Sequence, residues 1–165
     1  MLLKLLLVML VAMLPVIELR GAIPIAASMN LPEVLSLIAA MVGNILPMPL
    51  IFVFAHGLLE KGSQSRYKSI KEFCKWIIKK GHKASDKLQT KNNASIYVAL
   101  FLFVGIPLPG TGAWTGTIAA TFLDLDFKKT MVAIGCGTLL AGLIILCLSF
   151  GAVNFFSYSC LTILP

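Results

Sequence analysis

Two apolar stretches of this chain are each broken near the middle by residues that a membrane-crossing helix tolerates poorly. The first break reads Pro15-Val16-Ile17-Glu18-Leu19-Arg20-Gly21-Ala22-Ile23-Pro24. The second reads Gly105-Ile106-Pro107-Leu108-Pro109-Gly110-Thr111-Gly112-Ala113-Trp114-Thr115-Gly116. Both are flanked on either side by strongly apolar sequence. Non-helical, polar backbone at membrane depth has no water to bond, so it must face protein or a wet cavity. Paired interruptions in the two halves of a small membrane protein point to a transport site between them.

The membrane reading rests on composition. Of the 165 residues, 58% are hydrophobic and 13% charged, with a mean hydropathy of +0.92. Soluble domains carry about a quarter charged residues, so a soluble domain is excluded. The length suits one membrane domain. The net charge of +7 is concentrated, with ten of the fourteen Lys and Arg in residues 60–93. Between membrane segments, such a basic stretch points to anionic lipid headgroups rather than nucleic acid. Cys74, Cys136, Cys147 and Cys160 have no metal-ligand or redox spacing, so neither a metal site nor a cofactor is expected.

The apolar pieces beside each break are too short to cross a bilayer, which takes about 20 helical residues. Each pair therefore reads as a re-entrant hairpin. We expect an all-α membrane protein. Residues 1–31 form a first hairpin and 34–59 a spanning helix, kinked at Pro47 and Pro49. Residues 60–93 form a basic amphipathic segment, 95–123 a second hairpin, 130–150 a second spanning helix, and 151–165 a tail. Tyr67, Ile70, Cys74, Ile77 and Ile78 recur at helical spacing within the basic segment, as in helices that lie at the headgroup level. The positive-inside rule places that segment in the cytoplasm. Hairpin plus helix then occurs twice in opposite orientation, an inverted repeat. The strings Ile25-Ala26-Ala27-Ser28 and Ile118-Ala119-Ala120-Thr121 echo it faintly.

Chemistry is expected at the two breaks. Glu18 and Arg20 would not share a helical face, but an unwound tip could turn both into one cavity. Intramembrane charges are functional by default, and the plainer alternative is an ion pair that holds the tip. Glu18 is the candidate proton site. Arg20 could hold an anionic headgroup, because its fork matches phosphate geometry. In the second break Gly110, Thr111, Gly112 and Gly116 allow close backbone approach. The N–H groups of residues 110–114 would begin the returning half-helix, an end suited to an anion. Trp114 could anchor the loop. Asp124, at the far end of that half-helix, is a further proton-relay candidate. No nucleophile–base constellation stands out, so an enzyme is not expected.

The stretches Glu18-Leu19-Arg20-Gly21-Ala22-Ile23-Pro24 and Gly105 to Gly116 resemble the two signature stretches of the putative small multidrug export proteins, distant relatives of the DedA/VTT superfamily. The resemblance spans nearly the whole chain. It implies that Gly21, Pro24, Pro107, Pro109, Gly110, Thr111, Gly112, Trp114 and Gly116 are motif positions. It also implies two re-entrant hairpins in inverted repeat and proton-gradient-dependent movement of a lipid, such as a polyprenyl phosphate, across a prokaryotic inner membrane. DedA proteins carry an arginine in the second hairpin, whereas residues 105–123 here contain neither Arg nor Lys. The alternatives are a small-molecule or multidrug exporter and a non-transporting assembly or lipid-binding factor. The expected partners are membrane lipids, protons as coupling ion, no nucleic acid and a possible second copy of the chain.

Overall fold

The computed structural model describes residues 1–63, 72, 93–108 and 110–163, and every described element is helical. The helices are α1 (Leu2–Ala12), α2 (Glu18–Ser28), α3 (Glu33–Ile45), α4 (Met48–Ser63), α5 (Asn93–Gly105), α6 (Ala113–Phe122) and α7 (Phe127–Ile163). The expected basic amphipathic helix lies outside the described residues.

Two apolar spans, Glu33–Leu58 with a turn at residues 46–47 and the unbroken Phe127–Ala152, are each 26 residues long. At 1.5 Å per residue each reaches about 39 Å, more than the ~30 Å hydrocarbon core. Helices α1, α2, α5 and α6 have 10 to 13 residues, so each reaches only about half way. The outward surface is apolar: Leu2, Val16, Leu50, Phe54, Val132 and Leu148 are 65% to 92% exposed. Such a surface suits lipid contact and would be a liability in water. This is a membrane protein.

Three boundaries differ from the sequence expectation. The first break occupies residues 13–17 rather than 15–24, because α2 begins at Glu18 and carries Pro24 inside it. Proline there removes one backbone bond without ending the helix, which membrane helices tolerate. The spanning helix is interrupted between Ile45 and Met48, where Pro47 was expected to kink it. Helix α7 does not stop at 150 but runs on to Ile163. Gly151 keeps a helical backbone there, and no proline follows before Pro165.

Helix α1 packs on α2 and α3, and α5 on α7 and α6. Across the halves, α2 packs on α7 and α6 on α4. Two cores result. One joins Val8, Leu19, Ile23, Ala26 and Ile145, and the other Met48, Leu100, Val104, Ala120 and Ile134. Without water to expel between helices, close approach at small residues holds such contacts. A side chain at Gly43 would strike the Met9 carbonyl, and one at Gly137 the Phe101 carbonyl.

Helices α2 and α6 end alike. Asn30 and Asp124 adopt left-handed φ of 53° and 51°. Asn30 N–H bonds Ala27 C=O at 3.0 Å and Leu31 N–H bonds Ala26 C=O at 3.2 Å. Asp124 N–H bonds Thr121 C=O and Leu125 N–H bonds Ala120 C=O, both at 3.1 Å. This is the Schellman pattern, here with Asn and Asp in place of glycine. The paired residues are 94 apart, and burial follows the same spacing. Buried Leu19, Ala22, Ile23, Ala26 and Ala27 match buried Ala113, Gly116, Thr117, Ala120 and Thr121. Buried Ser36, Ala40, Gly43 and Asn44 match buried Thr130, Ile134, Gly137 and Thr138.

Gly43→Leu and Gly137→Leu should each lower the melting temperature of purified protein, by the ~1–3 kcal/mol typical of overpacking. Gly135→Ala, with open space around its Cβ position, should not. Thermal unfolding in detergent reads both.

Candidate functional site

The two breaks meet. Helix α2 starts where α6 starts, and the Glu18 side chain crosses between them. Its Oε1 accepts a hydrogen bond from the Trp114 N–H at 3.2 Å, and the Ala113 N–H is directed at the same carboxylate. Glu18 is only 6% exposed. The carboxylate therefore sits on the N-terminus of α6, where unpaired N–H groups and the helix dipole favour negative charge. Gly112, the N-cap of α6, makes this possible, since a Cβ there would fall on the carboxylate itself.

Glu18 has φ of 50°. For a non-glycine residue a left-handed backbone costs about 1–2 kcal/mol. Charge-assisted hydrogen bonds, the stronger kind, offset it. Strain of this type gathers at functional sites.

Arg20 serves the opposite helix end. Its guanidinium donates to the carbonyls of Leu108, Val104 and Ile106 and to Thr111 Oγ1. The Val104 and Ile106 bonds are 3.3 Å and the Thr111 bond is 3.1 Å. Val104 lies in the last turn of α5, and Ile106 and Leu108 follow it into the break, so Arg20 caps carbonyls that no helical N–H reaches. Thr111 Oγ1 also lies 2.9 Å from the oxygens of Ile106 and Leu108. Glu18 and Arg20, both in the first turn of α2, thus cap the start of α6 and the end of α5 on either side of the second break. They do so from the first turn of a helix rather than from an unwound tip. Rotation by two residues separates their directions, and each points to a different helix end.

The remaining motif positions have distinct places. A Cβ at Gly21 would meet Ile17, and one at Gly116 would meet Val104. Gly110 has φ of 85° and makes the tight turn. Pro24 is exposed on the outer side of α2, and Pro107 is half-buried in the break. Pro109 lies outside the described residues. The Trp114 indole N–H is buried without a hydrogen-bond partner. Asp124 is exposed at the other end of α6, about 15 Å from its N-terminus along ten helical residues. The fold does not bring it to Glu18.

Sequence reasoning missed two residues. Asn44 and Thr138 line a small cavity with Glu18, Arg20 and Gly112. Its volume of about 10 Å³ is close to what one water needs. Asn44 is 3% and Thr138 1% exposed, and Asn44 Oδ1 and Thr138 Oγ1 have no hydrogen-bond partner. They occupy matching positions 94 apart. The available signal was two polar residues eight apart in each apolar span, Ser36 and Asn44, then Thr130 and Thr138.

Arg20→Ala should leave the Val104 carbonyl without a donor, while Ile106 and Leu108 keep bonds from Leu108 N–H, Thr111 N–H and Thr111 Oγ1, and so reduce stability by the ~1–3 kcal/mol of one unsatisfied polar group. Arg20→Lys, a point donor in place of a fork, should recover only part of it. Denaturation in detergent measures both.

A family model described as the putative small multi-drug export protein matches residues 18–144. Searches of curated proteins and of solved structures find no match. The matched stretch opens on Glu18 and contains both helix ends that Glu18 and Arg20 cap. The chain belongs to the putative small multi-drug export protein family.

Proposed function

We propose that the protein is an inner-membrane transporter that exports small molecules, built as an inverted repeat of two re-entrant hairpins and two spanning helices, with Glu18 as its proton-binding site. Several observations support the repeat. Burial follows a 94-residue spacing from α2 through the spanning helices. A side chain at Gly142, in the span of α7, would touch Leu37, early in α3, so the two spans meet closely there, as an inverted repeat expects. The central cavity is lined by matched pairs, Leu19 with Ala113 and Asn44 with Thr138, as a pseudo-two-fold axis through it requires. Transport sites of inverted repeats lie on that axis, at the bilayer midplane, where half-helices end.

The observation that carries the exporter reading is the engagement of Arg20. A lipid-phosphate carrier needs donors free for the phosphate. The Arg20 fork is committed to three carbonyls and a hydroxyl, and the α6 N-terminus already holds the Glu18 carboxylate. A buried acid between two helix ends suits proton binding instead. Protonation removes its charge and weakens its hold on the Trp114 and Ala113 N–H groups, which loosens one hairpin from the other. That release is the step by which a proton gradient would drive the hairpins apart. Residues 60–93 face the cytoplasm in this reading, and no bond-making chemistry is assigned.

The test is export of a fluorescent cationic dye by purified protein in liposomes carrying a pH gradient. Glu18→Gln keeps an acceptor oxygen for Trp114 and should fold, yet lower gradient-driven export by about a hundredfold or more, the scale of losing one positioned proton-transfer group. Equal export by folded Glu18→Gln and the unaltered protein would overturn the reading. A second expectation concerns topology: the loops after Ser28 and Phe122 should be labelled by impermeant reagents from opposite sides of the membrane.

A further inference from the structure

Away from the central cavity, a groove of about 510 Å³ runs between α5 and α7 on the outer surface. Tyr97, Phe101, Val132 and Ala133 form its apolar walls, and Lys128 and Lys129 stand at one end. We infer that this groove binds one anionic phospholipid, its acyl chain along α5 and α7 and its phosphate on Lys128 and Lys129. The inference rests on the membrane location and is independent of the exporter reading.

Charge complementarity selects the occupant. The groove is almost wholly apolar, and its polar content is concentrated at the lysine end. Lys129 Nζ lies 5.8 Å from the centroid of the Tyr97 ring, which keeps the ammonium over the groove mouth. The nearest acid in sequence, Asp126, is exposed but does not line the groove. Its Oδ1 accepts the Lys129 backbone N–H at 3.0 Å as the cap of α7, and its own N–H donates to the Tyr97 hydroxyl at 3.3 Å. Asp124 is exposed at the same end of the bundle and likewise does not line the groove, so the charged residues on its lining are the two lysines. A groove open along its length, apolar below and cationic at the membrane surface, matches an amphiphile with an anionic head. A cationic drug would meet like charge there.

The other half of the molecule provides an internal comparison. The helix pair α1 and α3 repeats the pair α5 and α7, and the burial of α3 is matched by α7 at a spacing of 94 residues. At the positions matching Lys128 and Lys129 stand Val34 and Leu35. The two lysines are therefore a departure from the repeat, placed at the end of one groove only. Positive charge scattered by composition alone would not be tied to that opening.

Native mass spectrometry of the full chain, purified in mild detergent with equal phosphatidylglycerol and phosphatidylcholine, tests this. The unaltered protein should retain one phosphatidylglycerol in preference. K128Q/K129Q should weaken that retention by roughly thirtyfold, from ~1 kcal/mol per lysine, and K128R/K129R should restore it. Val132→Trp, at an exposed groove position that folding does not need buried, should also reduce it by filling the groove. K68Q/K71Q/K75Q, in the basic segment, should leave the bound lipid in place. Retention unchanged in K128Q/K129Q, or unaffected by Val132→Trp, or lost with the basic-segment lysines instead, would overturn the proposal. Thermal unfolding of each variant separates a lost site from a lost fold.

Discussion

The fold depends on how two helix ends are satisfied inside an apolar protein. The second hairpin leaves a row of carbonyls at the end of α5 and a set of N–H groups at the start of α6. Lipid offers nothing to either. Arg20 supplies donors to the first and Glu18 an acceptor to the second. Both reach there from the first turn of α2, so the two hairpins are fixed to each other through polar groups rather than by apolar area alone. An unpaired charge at this depth would cost several kcal/mol, and capping the opposite helix ends removes that cost. Glu18 and Arg20 point to different helix ends rather than to each other, so two caps stand where the sequence offered an ion pair. The arrangement that makes the break stable is also the one that a change in protonation would undo.

The rest of the packing is organised by close backbone approach. Gly43 against Met9 and Gly137 against Phe101 occupy matching places in the two halves, and each lets a hairpin arm lie directly on a spanning helix. Around them the matched polar residues Ser36 and Thr130, then Asn44 and Thr138, mark the inner faces of the two spans. Ser36 bonds its own helix at Pro32, while Asn44 and Thr138 keep polar atoms free toward the central cavity. A hydroxyl and an amide so placed in an apolar core suit a transient guest, such as a water passing a proton to Glu18.

Much of the architecture was legible in the sequence. The two breaks, the short flanking arms, the spans and the concentration of positive charge follow from bilayer thickness and the cost of exposed backbone. The boundaries were less so. Pro24 reads as a breaker but lies within α2, and Gly151 reads as an end but continues α7. The echo of Ile25-Ala26-Ala27-Ser28 in Ile118-Ala119-Ala120-Thr121 pairs residues 93 apart, whereas burial and the Schellman ends repeat at 94. The strings are thus one residue out of register with the packing. What the repeat preserves is the pattern of small and buried positions, not residue identity. Glu18, Arg20, Gly112 and Trp114 stood out in the two breaks, and the fold brings them together, but their pairing was not legible. The anion on the α6 N-terminus is the chain's own carboxylate, a long-range contact that local spacing cannot encode. Asn44 and Thr138 were hidden because single polar residues in apolar helices look like ordinary variation until the fold brings them together.

The matched position for Glu18 is Gly112, and the carboxylate occupies the room that a side chain at Gly112 would need. Two equivalent positions thus share one acid. In an inverted repeat, the inward-open and outward-open forms arise as the two hairpins exchange conformations. Were both hairpins to carry a glutamate, each could present a charge to the helix end of the other. With a single acid beside a glycine, only one hairpin can present a charge to the helix end of the other. In the proposed exporter that exchange would be lopsided, with a preferred resting side that a proton, rather than the cargo, must overcome.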